Sequence, residues 1–230
     1  MSDWKTIWNR RKCDGTAATL AELLAADGFD QGAGKIDVAA WERYAELVSG
    51  WSNLEKGDSL FDVGCGAGAF IYPFHRAGHR VGGIDYSESL VAVAKQTMGG
   101  ADIAVAEARD LNESRVYDLV VSNSVFHYFP DTDYAELALR KMIRKAVKTV
   151  AVLELPDLDL QEEAERARAG ALPAGEYEKK YSGLRHKYYS RKWIEDMGGR
   201  YGCRVQIFDQ QIDGYGNNRF RFNALFHKQN

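Results

Sequence analysis

The chain has 230 residues, 45% of them hydrophobic and 27% charged, with a net charge of −3. That length and balance suit one globular domain with a sizeable core and exclude a disordered chain. The small negative charge sets up no field for nucleic acid or an anionic membrane surface, and no apolar run approaches the ~20 residues that span a bilayer.

The segment from Met1 to Lys12 lacks the apolar core of a signal peptide. Cys13, Cys65 and Cys203 are odd in number and widely spaced, which predicts reduced thiols in a cytoplasmic protein. No paired Cys/His spacing indicates a metal. Residues 3–27 read as two helices broken near Gly15, with Trp4, Ile7 and Trp8 on one face and Leu20, Leu23 and Leu24 on another. Arg10, Arg11 and Lys12 form a short basic cluster, either a solvated face or an anion site. A glycine-rich loop, Gly28 to Gly34, precedes an amphipathic helix from Asp37 to Ser49. Val38, Trp41, Ala45 and Val48 make its apolar face, with Tyr44 alongside.

The next stretch, Leu60-Phe61-Asp62-Val63-Gly64-Cys65-Gly66-Ala67-Gly68-Ala69-Phe70, reads as a buried strand, a tight turn and a helix from about Ala69 to Arg76. Gly64, Gly66 and Gly68 permit dihedrals that a Cβ forbids and let a ligand approach the backbone. A helix opening there would point N–H groups at that ligand. Dinucleotides and S-adenosylmethionine both use this geometry, and Gly64-x-Gly66-x-x-Ala69 fits the relaxed dinucleotide pattern. Asp62 favours the second ligand. A carboxylate at the mouth of the turn opposes a diphosphate but suits an ammonium group. Cys65 is either a small residue filling the turn or a reactive thiol.

Asp62-Val63-Gly64-Cys65-Gly66-Ala67-Gly68 resembles the first motif of the class I S-adenosylmethionine-dependent methyltransferases. The second strand runs from Arg80 to Ile84, and Asp85 ends it, 21 residues past Gly64. A carboxylate there can accept both ribose hydroxyls, a device shared with NAD-binding folds. Tyr86 follows, placed to stack beside an adenine. A helix from Glu88 to Met98 is capped by Ser87 or Ser89, and Ile103 to Ala106 is the third strand. The resemblance implies that Glu107 replaces the acid that meets the adenine amino group, that a backbone N–H near Ala108 meets a ring nitrogen, and that Asp110 is the rival acid. It also implies that Tyr44 or Trp41 lends a ring to the cofactor, with core packing as the other reading. The fourth strand, Tyr117 to Ser122, leads into a segment that passes under the reactive methyl group in that family, so Ser122 and Tyr128 join the candidate site.

Asp131 caps a helix from Thr132 to Ala146, and Thr149 to Leu155 is the fifth strand. Residues 158–189 break the strand–helix alternation and form a small cap rich in Tyr, Lys, Arg and His. Ser190 caps a helix through Met197, stopped by Gly198-Gly199. Arg204 to Phe208 and Phe220 to Phe226 close the sheet as an antiparallel pair. The expected fold is α/β: one domain over residues 1–230 with a Rossmann-like, seven-stranded, mostly parallel sheet and an antiparallel last strand. Helices cover both faces, helical residues 1–50 precede the sheet, and the cap follows the fifth strand.

The resemblance implies methyl transfer from S-adenosylmethionine to oxygen or nitrogen of a small molecule. The fourth strand lacks the Asn/Asp-Pro-Pro-Tyr ending of nucleic-acid amino methyltransferases, and it lacks the acidic ligands of metal-dependent catechol enzymes. His127 and His186 are the candidate bases, each balanced by a packing or lid role. Tyr128, Tyr181, Tyr189 and Arg221 are candidate substrate contacts, with strand-surface charge as the alternative for Arg221. The other functions the residues allow are an NAD(P)-dependent oxidoreductase and a non-catalytic S-adenosylmethionine-binding protein.

Overall fold

The computed structural model describes residues 4–9, 18–170, 184 and 186–229. Among these, α1 (Trp4–Asn9) and α2 (Leu20–Ala26) precede α3 (Val38–Trp51). The alternating part comprises β1 (Ser59–Val63), α4 (Tyr72–Arg76), β2 (Arg80–Asp85), α5 (Glu88–Thr97), β3 (Asp102–Val105), β4 (Tyr117–Asn123), α6 (Thr132–Lys145) and β5 (Ala146–Pro156). Then come α7 (Gln161–Gly170), α8 (Arg191–Tyr201), β6 (Cys203–Asp209) and β7 (Arg221–Lys228). Gly15, the basic cluster at residues 10–12, and Tyr181 with the middle of the cap lie outside the described residues.

The strands form one seven-stranded sheet in the order β3-β2-β1-β4-β5-β7-β6. The first five strands pair in parallel, and β7 runs antiparallel to both β5 and β6. The alternation of side chains along each strand builds two cores. Leu119 and Val121 of β4 join a core shared with α3, α4 and α5, whereas Val120 belongs to the core with α6 and α8, and an irregularity between Tyr117 and Leu119 puts Tyr117 in that second core too. β1 is buried along its whole length, as a central parallel strand covered on both faces must be. The strand order reverses between β1 and β4, so the crevice beyond their carboxyl ends is where such sheets bind ligands.

Helix starts follow their caps. Asp37, Ser87, Asp131 and Ser190 each accept a backbone N–H from the first turn of the helix that follows. Several boundaries differ from the sequence expectation; β5, for one, begins at Ala146 rather than Thr149, directly after α6. α4 begins at Tyr72, because residues 64–71 remain a turn. α8 runs through Gly198-Gly199 and stops at Gly202, which takes the left-handed conformation at φ +65°. Gly198 is retained for packing: a Cβ there would lie 2.1 Å from Val205 Cγ2 on β6. Gly199 faces open space. Gly198→Ala should therefore destabilise the fold by about 1–3 kcal/mol through overpacking. Gly199→Ala should stabilise it by about 0.5–1 kcal/mol through helix propensity. Urea midpoints of the two variants check both signs.

Candidate active site

The carboxyl ends of β1, β2 and β4 open into a cavity of about 530 Å³. That volume lies within the usual range for small-molecule sites, ~300–1,000 Å³. Asp62, Gly64, Cys65 and Gly66 line it from β1 and its turn, and Asp85 and Tyr86 from the end of β2. Glu107 and Ala108 line it beyond β3, and Ser124, Val125 and Tyr128 beyond β4. Trp4 and Trp8 of α1 complete the wall.

The glycine turn satisfies its own amides. Gly64 N and Cys65 N donate to Ile84 O at 2.7 and 2.9 Å, and Gly68 N donates to Cys65 O at 2.8 Å. Gly66 N donates to Asp85 Oδ2 at 2.9 Å. Ala67 N and Ala69 N donate to the two oxygens of Asp27 at 2.6 and 3.0 Å. The sequence predicted N–H groups presented to a ligand. Instead, Asp27, arriving from the end of α2, caps them. Sequence reasoning missed Asp27, because no local motif marks a partner 40 residues away. Gly64, at φ +88°, has Val125 against it; a Cβ would lie 2.4 Å from Val125 Cγ2, so a side chain here would push away the segment leading to Tyr128.

Asp27, Asp62 and Asp85 thus gather around one turn. Asp62 is 1% exposed, and its Oδ1 has no hydrogen-bond partner. Burial, then the charges of Asp27 and Asp85, push its carboxyl well above the usual range. Burial also raises Asp85, although its backbone bonds from Ser87 and Gly66 oppose the shift. The Cys65 thiol is pushed well up by burial and the same carboxylates, so the side chain is no thiolate. It packs as a small filler against Gly83, where an added Cβ would meet Cys65 Cβ at 2.8 Å.

The remaining candidates divide. Tyr134 O–H donates to Glu107 Oε2 at 3.3 Å, which holds that carboxylate at the cavity wall. Its rival Asp110 is exposed and outside the lining. Trp41 lines the cavity and donates Nε1–H to Ala69 O at 2.9 Å. Tyr44 does not line it: the ring is buried in the core, and its O–H donates to Asn223 Oδ1 at 3.1 Å. Ser122 is buried and donates to Val63 O at 2.7 Å, tying β4 to β1 rather than facing ligand. Gly68 serves packing: at φ +92°, an added Cβ would lie 2.3 Å from Met98 Cε.

Tyr189 is buried against Phe126 and donates to Phe126 O at 2.8 Å, so it supports the site from outside the cavity. His127 and His186 sit behind Tyr128, with ring centroids 4.0 and 5.6 Å from it. Burial holds both imidazoles well below their ordinary value. Arg221 is not strand-surface charge. It is buried beside Glu154, with Nε 3.3 Å from Oε1.

Residues 60–149 match a family model described as a methyltransferase domain. The match runs from β1 into β5, so it is this part of the chain that is similar to a methyltransferase domain. A ubiquinone biosynthesis O-methyltransferase of Paramagnetospirillum magneticum is 36% identical over 80 residues, covering 33% of this chain and 32% of that protein. The chain thus spans about a third of the length of that relative. A malonyl-[acyl-carrier protein] O-methyltransferase of Serratia marcescens is 24% identical over 179 residues, 74% of this chain and 70% of that one. The fold matches magnesium protoporphyrin IX methyltransferase from Synechocystis PCC 6803 with bound SAH, at TM-score 0.62 and 17% identity, covering 99% and 95% of the two chains.

The Synechocystis methyltransferase has been crystallised with SAH and with SAM, and the residues of this turn fit S-adenosylmethionine. The cofactor brings a cationic sulfonium and an ammonium group to a turn whose buried Asp62 oxygen has no partner. A buried carboxylate without a cation is costly. Because folding raises the Asp62 pKa above its ordinary 3.8, the stability it contributes is full below 3.8 and is lost as pH rises through the folded value. Asp62→Asn should therefore stabilise the ligand-free protein at pH 7 by about 1 kcal/mol, about 2–4 °C for a domain of this size. Thermal unfolding without ligand checks the sign, and a lower midpoint for Asp62→Asn would refute it.

Proposed function

We propose that the chain transfers a methyl group from S-adenosylmethionine to an oxygen of a small-molecule acceptor. The observation that carries this reading is the amide-satisfied glycine turn ringed by Asp27, Asp62 and Asp85. Such a turn offers a diphosphate no free N–H groups and a negative field, which argues against the NAD(P)-dependent alternative. A cationic nucleoside ligand meets the opposite situation. The O-methyltransferase relatives support oxygen as the acceptor atom.

Bound S-adenosylmethionine supplies a methyl group already activated by its sulfonium. The chain's contribution is then positioning and exclusion of water. Asp85 would hold the ribose hydroxyls, Glu107 and the Ala108 backbone the adenine, and Asp62 the ammonium group. Trp4, Trp8 and Tyr128 close the cavity with aromatic surface. Trp4 and Tyr128 touch at a centroid distance of 4.8 Å. His127 is the group proposed to take an acceptor proton. Its ring is uncharged at neutral pH because of burial, and Nδ1 has no hydrogen-bond partner.

Thermal-shift titration with S-adenosylhomocysteine and, separately, NAD tests the cofactor. At ~100 times its dissociation constant a ligand stabilises the fold by ~2.7 kcal/mol. S-adenosylhomocysteine should raise the midpoint, NAD should not, and Asp85→Ala should abolish the shift. Stabilisation by NAD alone would overturn the reading in favour of an oxidoreductase. Label transfer from methyl-labelled S-adenosylmethionine separates an enzyme from a binding protein. His127→Ala should lower kcat by about 10²–10⁴ without changing S-adenosylhomocysteine affinity. A variant with wild-type kcat and pH profile would reduce His127 to packing.

A further inference from the structure

The loop after β3 is tied to one face of α6. Tyr134, Lys141 and Lys145 lie seven and four residues apart, which places them along that face. Lys141 Nζ donates to Leu111 O at 3.2 Å, and Lys145 Nζ donates to Asn112 O and Arg115 O at 2.8 and 2.7 Å. Both lysines thus bond to backbone carbonyls outside the cavity lining. Tyr134 differs. It lines the cavity itself, and so does its partner Glu107.

The Tyr134 hydroxyl stands between two groups of fixed polarity. The Arg109 N–H donates to it at 3.4 Å, and it donates to Glu107 Oε2 at 3.3 Å. An amide N–H only donates and a carboxylate only accepts, so the one hydroxyl proton points to Glu107. The tyrosine is set from two sides. Its backbone N–H donates to Asp131 Oδ1 at 2.8 Å, and its ring packs on Phe129 with centroids 4.7 Å apart. Glu107 has no such support from its own turn. It precedes a single 3-10 turn, Ala108–Asp110, and its side chain makes no capping bond there. A glutamate side chain has three rotatable bonds, and ordering one costs conformational entropy. Tyr134 restrains it in the ligand-free fold, so less ordering is left for the ligand to impose.

Tyr86, Ala106, Ala108 and Phe129 line the cavity with this pair. Aromatic and small apolar side chains contact any purine alike. A carboxylate does not: it accepts from a 6-amino group and repels a 6-carbonyl oxygen. We propose that Tyr134 is a positioning residue that holds Glu107 as an acceptor at the cavity wall and thereby selects a 6-amino purine over a 6-oxo purine. This rests on the methyl-transfer reading for its nucleoside ligand and adds what fixes the choice of base.

Adenosine and inosine are the probes, titrated into the full chain with the thermal midpoint and calorimetry as readouts. Adenosine should bind at least about tenfold more tightly than inosine. Tyr134→Phe keeps the ring on Phe129 and removes the hydroxyl; the adenosine-to-inosine ratio should fall at least about threefold. A residue that only packs would weaken both nucleosides equally and leave the ratio unchanged. Glu107→Gln can donate to a carbonyl, and its ratio should fall to about one. Equal responses of the wild type to the two probes, including none, overturn the proposal. So does a ratio that collapses in Glu107→Gln and survives in Tyr134→Phe, because Glu107 would then read the base unaided. S-adenosylhomocysteine is titrated in parallel. If it fails to bind while the adenosine preference depends on Tyr134, the methyl-transfer reading alone falls. If it binds while the ratio ignores Tyr134, the role of Tyr134 alone falls.

Discussion

The structure depends on how six consecutive amides, Gly64 to Ala69, are used. In an anion-binding turn they would face the ligand; here each has a partner within the protein. Two of those partners are carboxylates, Asp27 and Asp85, so satisfying the amides also charges the turn. Asp62 adds a third carboxylate buried from water. On the methyl-transfer reading, the preference of the site for a cationic ligand thus follows from backbone hydrogen bonding. The same bonds fix α2 against the turn, which positions the N-terminal part of the chain around the cavity.

A second group of polar side chains lies beside Tyr128. That ring lines the cavity, and His127 and His186 pack against it, with Arg168 bonded to His186. The two groups draw on different parts of the sheet. The acidic one belongs to β1 and β2 and their loops. The buried pair of Glu154 and Arg221 uses the bulge of β5 and the start of β7, where the strands become antiparallel.

What the sequence made legible was local. Asp62 and the glycines lie within one strand–turn unit, and Asp85 follows at a spacing set by one helix and one strand. The alternation of elements likewise predicted the sheet and its closing pair. What it hid came from long-range partners. Asp27 meets the turn only after α3 and β1 have folded back on α2. Arg221 alternates with apolar neighbours along β7, which suggested a solvated face. An inner strand is covered on both sides, however, and Glu154 from β5 is its counter-charge. Tyr44 shares a helix face with Trp41, but its hydroxyl is claimed by Asn223 of β7. Periodicity identifies a face; it does not identify the partner across it.

The placement of β7 between β5 and β6 has a consequence for biogenesis. An inner strand that comes last in the sheet cannot pair until it has left the ribosome. Until then β5 and β6 each present an unpaired edge, the kind of surface that recruits other chains. Asn223 and Arg221, which brace Glu154 at its left-handed φ of +60°, arrive at the same moment. The nascent chain can assemble the cofactor turn from β1 and β2 well before this. The braced bulge of β5 takes shape only when synthesis reaches β7, so an interrupted chain would have the glycine turn without the Glu154–Arg221 pair.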